Sequence, residues 1–313
     1  MQTIYFAADP GTAAAATGKN MPTPPKTAAN RLIGILLVII SAAAFGALPI
    51  FAHAAYRAGA DPVSILFLRY TMAAALMFAW IAVRGTRLPR GKTLLTLTGM
   101  GALGYAGQSF SYFFALTRAP AGTVALLLYI YPALVTILSV IVLKHPPAAR
   151  EVAALLLSFA GIVMVIGFQP GGQGLGMAFG LLAAVIYSVY IIVGTRAARQ
   201  TDSFAASAVI IAAAAVIYGA VILARGLHPP QTPAGWFAVV CIAVISTVLA
   251  IVTFFAGLKR IGPVQTSMLS MAEPVITVGL ASVLLGEALT PAKLAGGALV
   301  VAAGLLLAYK GRN

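Results

Sequence analysis

Long apolar runs alternate along the chain with short polar gaps, and the length of the runs identifies them. Ten lie at about 32–54, 63–83, 94–116, 121–143, 151–168, 174–195, 203–224, 235–257, 263–285 and 291–309. Each approaches the roughly 20 residues that a helix needs to cross the hydrocarbon core of a bilayer. The pattern predicts an all-α polytopic membrane protein with ten transmembrane helices. Most gaps are only a few residues long, so consecutive helices are expected to be antiparallel neighbours. Gln169-Pro170-Gly171-Gly172 ends the fifth run firmly. Residues 1–30, rich in Ala, Thr and Pro and lacking a signal-peptide apolar region, are expected to be a disordered cytoplasmic extension.

Composition fits this reading. Of 313 residues 61% are hydrophobic and 8% charged, with a mean hydropathy of +1.00, where a soluble domain carries about 25% charged residues. The net charge of +14 does not point to nucleic acid, because the basic residues form no patch interleaved with aromatics. They mark orientation instead. With the N-terminus inside, fifteen Lys and Arg residues fall in cytoplasmic segments, against Arg57, Arg118, Arg225 and Lys293 outside. Both termini are therefore expected in the cytoplasm. Cys241 is the only cysteine, which excludes an intrachain disulfide. The three histidines, His53, His145 and His228, are scattered, and no metal site, phosphate loop or catalytic triad is visible. No cofactor, metal or enzymatic activity is expected.

The run Pro263–Leu285 carries a carboxylate, Glu273, near its midpoint, followed by Pro274. A charge at membrane depth costs at least about 2.5–3.5 kcal/mol and is tolerated when it faces a bundle interior or a wet cavity. Thr266, Ser270, Glu273 and Thr277 share one helical face, a polar stripe beside the kink expected at Pro274. Glu273 could bind an ammonium group or carry a proton; bracing the kink through hydrogen bonds is the preferred expectation. In the third run Tyr105, Gln108 and Tyr112 share a face, and in the sixth so do Tyr187 and Tyr190. For Gln108, solute binding and an interhelical hydrogen bond stand level. Arg69 is expected to snorkel outward or pair with a loop carbonyl, His53 to be interfacial, and Glu287 to cap a helix. Gly101 with Gly104, and Gly296 with Gly297, suit close helix packing.

The two halves match at an offset of 142 residues. Ala115–Gly122 (ALTRAPAG) ahead of Tyr131-Pro132 corresponds to Gly257–Val264 (GLKRIGPV) ahead of Glu273-Pro274. The same offset pairs Gly34 with Gly176 and Arg118 with Arg260. Five helices per half is an odd number, so residues 31–168 and 174–309 are expected to form two inverted repeats with a site at their interface. Each half has a proline, Pro132 or Pro274, in the middle of its fourth helix.

These residues resemble the drug/metabolite transporter superfamily, in its bacterial ten-helix branch built of two EamA-type repeats. The stretch AEPVITVGLASVLLGEALTPAKLAGGALVVAAGLLL (Ala272–Leu307) carries the likeness, with Arg69 in ILFLRYTMAAALM and the segment Phe114–Leu134. The first half departs from it: Tyr131 stands for the glutamate and Lys144-His145 for Gly-Glu. The resemblance implies an inner-membrane secondary transporter exporting small organic solutes, amino acids first among them, by alternating access. A facilitative or uptake carrier for other metabolites or drugs is the alternative. Proton coupling through Glu273 and the oligomeric state are left open.

Overall fold

The computed structural model describes residues 28–167 and 174–309. Ten helical stretches follow in chain order: α1 Ala28–Arg57, α2 Pro62–Arg84, α3 over 91–116, α4 over 121–143 and α5 Ala149–Ile166. Then come α6 Gly174–Gln200, α7 Ser203–Arg225, α8 Pro233–Ile261, α9 Pro263–Leu285 and α10 Pro291–Ala308. Residues 28–30 of the expected extension form the first turn of α1; residues 1–27 and the Gln169–Gly172 stop lie outside the described residues.

Starts and stops follow local chemistry. Pro62, Pro233, Pro263 and Pro291 each occupy the first helical position, where a missing N–H costs nothing. The Asp61, Asp202, Thr232 and Thr290 side chains accept from amides of the first turn of α2, α7, α8 and α10.

Among the described residues nine helices are long and apolar enough to span a membrane, one fewer than the pattern predicts. The missing one is α3. It is continuous over 91–116, but Gln108, Tyr105, Tyr112, two serines and five glycines dilute its apolar character.

The two halves are woven together. A Cβ on Gly34 of α1 would lie 2.8 Å from the Arg260 Cβ in α8. One on Gly176 of α6 would lie 2.8 Å from the Arg118 Cβ, just beyond α3. The first helix of each half thus packs against the third helix region of the other, through the same pair of positions. Gly101 meets the Ile210 carbonyl, Gly104 the Tyr190 ring, Gly296 the Gly161 carbonyl and Gly297 the Val275 side chain. All four therefore serve close helix approach. At one end of the bundle Arg31 of α1 donates to the Leu307 and Ala308 carbonyls of α10, so the described ends of the chain meet on one face.

Candidate functional site

Both fourth helices are broken where their prolines stand. In α4, helix Ala121–Leu128 stops and a second, Tyr131–Leu143, restarts with Pro132 at its second position. In α9, Pro263–Leu269 passes through a tight turn at Ser270–Ala272 and restarts as Glu273–Leu285, again with the proline second. The ring removes a hydrogen bond from the middle of each helix, and the break sits there.

Both third helices are irregular too. Met100–Tyr105 in α3 and Val244–Leu249 in α8 are π-helical, and the 142-residue offset nearly superposes them. Such a wide turn frees carbonyls and re-aims side chains, and it recurs at functional sites. Tyr105 closes one of these turns and is buried, and Ser246 in the other accepts from Arg69 through its carbonyl.

Seven tyrosines join these elements. Ring centroids run from Tyr129 to Tyr131 at 6.3 Å, to Tyr187 at 4.7 Å, to Tyr190 at 6.0 Å and to Tyr105 at 5.9 Å. Tyr70 follows at 5.4 Å and Tyr218 at 5.6 Å. The ladder crosses α4, α6, α3, α2 and α7. It gathers Tyr105, Tyr131, Tyr187 and Tyr190 from the sequence-predicted set and adds Tyr70, Tyr129 and Tyr218, which sequence reasoning missed.

Beside the ladder stands Glu273. It is close enough to interact electrostatically with the hydroxyls of Tyr112, Tyr129, Tyr131, Tyr187 and Tyr105. Among the described residues no hydrogen-bond donor and no cation reaches its carboxylate, and the residue keeps some exposed surface deep in the bundle. The expected brace is made by other groups. Thr277 Oγ1 donates to the carbonyls of Gly46, at 2.9 Å, and of Glu273 itself, at 3.0 Å. Thr266 and Ser270 donate to the carbonyls four residues earlier, and both side chains are buried. Of the predicted stripe, only Glu273 leaves its polar group unused.

Arg69 departs from expectation. It does not snorkel: it is 4% exposed, and it donates to Thr247 Oγ1 at 3.1 Å, to the Tyr105 hydroxyl at 3.3 Å and to the Ser246 carbonyl at 3.4 Å. Its guanidinium carbon lies 4.7 Å from the centre of the Tyr70 ring. No carboxylate balances it among the described residues. A cavity of about 310 Å³ leads to it, lined by His53, Tyr56, Leu66, Tyr112 and Phe113. A larger one of about 620 Å³ adjoins it around Asp61, Phe110, Arg225 and His228, on the face away from the chain ends. Gln108 is half-buried with no hydrogen bond among the described residues, so the interhelical bond considered for it is not made.

The arrangement is two broken helices facing each other across inverted halves, with an unpaired carboxylate at one break and phenols around it. The model of the EamA-like transporter family matches residues 32–167 and 174–309. The chain belongs to the EamA-like transporter family. That membership makes it a multi-pass membrane transporter of the drug/metabolite superfamily, built from two repeats. It is 26% identical over 273 residues to the uncharacterized transporter YcbK of Bacillus subtilis, covering 82% of this chain and 86% of that protein. It is 29% identical over 222 residues to the aromatic amino acid exporter YddG of Ancylobacter novellus, covering 69% and 77%. A solved crystal structure superposes with a TM-score of 0.76 at 25% identity, over 89% of this chain and 97% of the other.

Proposed function

We propose that this EamA-family protein is a secondary transporter that exports amino acids or closely related amphipathic solutes by alternating access. In this reading α3 is the tenth span, both termini are cytoplasmic, and the protein resides in the bacterial inner membrane. One observation carries the reading: the Glu273 carboxylate, unpaired among the described residues, stands at a helix break in the electrostatic neighbourhood of five buried tyrosines. A buried carboxylate without a partner is costly, and a substrate ammonium group would supply what it lacks. The phenol rings would accept the apolar part of the solute, and a relative named as an aromatic amino acid exporter supports that choice. Tyr112 and Gln108 of α3 would line the way between the open cavity and Glu273. Broken helices meeting at a repeat interface are the recurring setting for a midplane site.

The test is counterflow in proteoliposomes loaded with each amino acid in turn. Saturable exchange of aromatic amino acids that Glu273→Ala lowers on the order of 10²-fold, with folded protein retained, is the expected result. Exchange of solutes lacking an amino group at equal rates would sink the reading.

A further inference from the structure

The seam where α3 meets α6 carries a second feature, which touches the tyrosine ladder only at Tyr190. A hollow of about 450 Å³ lies between the ends of these helices and α4, with Lys92, Arg196 and Thr96 at its rim and Leu138, Val189 and Val193 in its walls. A second hollow, of about 370 Å³, shares Thr96, Val189 and Val193 with the first. It continues along the seam to Leu103 and Val185 and, among the described residues, bears no charged side chain. Together they make one groove, cationic at one end and apolar along the rest. Leu103 is 77% exposed and Val189 47% exposed, so the groove opens sideways out of the bundle, where the bilayer lies.

Among the described residues no acidic side chain lines either hollow. Lys92 has no side-chain partner among the described residues, and Arg196 spends one nitrogen on the Val142 carbonyl at 3.0 Å. Both stand at helix ends on the face where the chain ends meet, the end at which a spanning bundle meets lipid headgroups. From Lys92 to Leu103 the helix rises roughly 16 Å at 1.5 Å per residue. That is about half of a hydrocarbon core about 30 Å thick, the depth of one leaflet.

We propose that this groove is a binding site for an anionic phospholipid. The phosphate sits between Lys92 and Arg196, and one acyl chain lies along Val189, Val193 and Leu103. Charge complementarity selects the headgroup and the leaflet-long apolar trough selects a lipid over a soluble phosphate. The bound chain would rest against the π-helical turn of α3 and the Gly104–Tyr190 contact, where the two halves touch.

The experiment titrates delipidated full-length protein in detergent with phosphatidylglycerol, with phosphatidylcholine of the same chains, and with glycerol phosphate. Native mass spectrometry and thermal unfolding are the readouts. Two interfacial cations imply a preference for phosphatidylglycerol of roughly 30-fold, with no stabilisation by glycerol phosphate. Lys92→Gln/Arg196→Gln should erase the preference, and Arg84→Gln/Arg87→Gln, basic residues outside the groove, should keep it. Should the first double variant fail to fold, Lys92→Gln alone, at an exposed position unpartnered among the described residues, should reduce the preference. Equal binding of the two lipids, equal loss in both double variants, or stabilisation by glycerol phosphate alone would overturn the proposal.

Discussion

The fourth helices of the two halves share one backbone plan and differ in chemistry at a single step. Both stop, turn and restart with a proline second, yet α4 restarts on Tyr131 and α9 on Glu273. Tyr131 is 2% exposed and donates its hydroxyl across the repeat interface to the Ser267 carbonyl at 3.1 Å. Glu273 presents a carboxyl group that no neighbour answers among the described residues. The break is architecture, kept in both halves; the residue that follows it decides whether the break is sealed or left chemically open. A matching pair closes the helices: Gly286 and Lys144, again 142 residues apart, both adopt a left-handed conformation, at φ 71° and 56°.

Replacing the two restart residues should break the equivalence most strongly. Glu273→Ala is expected to lower transport kcat/KM on the order of 10²-fold, the usual loss when one partner of a desolvated charge pair is removed. Tyr131→Phe should leave transport within about threefold and cost about 1 kcal/mol for its hydrogen bond. Counterflow and thermal unfolding on the same preparations separate the two, and a Tyr131→Phe loss matching that of Glu273→Ala would erase the distinction.

The woven contacts offer a second comparison. Gly34→Ala and Gly176→Ala each force a methyl into the opposite half, with overpacking costs of about 1–3 kcal/mol. Gly176→Ala should cost more, because its Cβ would stand 3.0 Å from the Arg118 backbone carbon, whereas Gly34 meets only side-chain atoms, the Ile261 Cγ2 methyl at 2.6 Å and the Arg260 Cβ at 2.8 Å. Melting temperatures in one detergent will rank them.

Asp61 and Asp202 cap the second helix of each half, and substitution by Ala should cost about 1 kcal/mol at such positions. Asp61 also accepts from the Ser64 hydroxyl at 2.6 Å and lies 3.3 Å from His228. Burial pushes its carboxyl up, but the bonds from Ser64 and Val63 and the His228 ring bring it net below the usual carboxylate range. Its contribution is therefore present above the unfolded value of about 3.9 and lost as pH falls through the lower folded value. Asp61→Ala should destabilise more than Asp202→Ala at pH 7, and the gap should close in acid unfolding scans.

The smallest effect belongs to the helix ends. Lys144→Gly removes a side chain from a left-handed position and should stabilise by about 1 kcal/mol, while Gly286→Ala should destabilise by a similar amount. Chemical denaturation in mild detergent resolves changes of this size.

Much of this was legible in the sequence. Apolar run lengths placed the helices, and the 142-residue offset exposed the repeat, because both are written in neighbouring residues or in their recurrence. Glu273-Pro274 announced a charge at a break for the same reason. Arg69 was misjudged because its partners, Ser246 and Thr247, lie nearly 180 residues away, in a π-helical turn that no local pattern betrays. Tyr70, Tyr129 and Tyr218 went unnoticed since a ladder built from five helices has no spacing along any one of them. Thr266 and Ser270 looked like path residues on a helical wheel, yet a hydroxyl in an apolar helix can turn to its own backbone.

The meeting of Arg31 with the Ala308 carbonyl spans 277 residues of sequence, and that sets a schedule for biogenesis. Translation at about 5–20 residues per second separates the emergence of these partners by roughly 14–55 s. During that interval α1 lies in the bilayer without the helices that Gly34 and Arg31 are shaped to meet. The nascent first half therefore presents an unoccupied seam to the insertion machinery. Truncation before α8 should leave a protein that inserts and is then degraded.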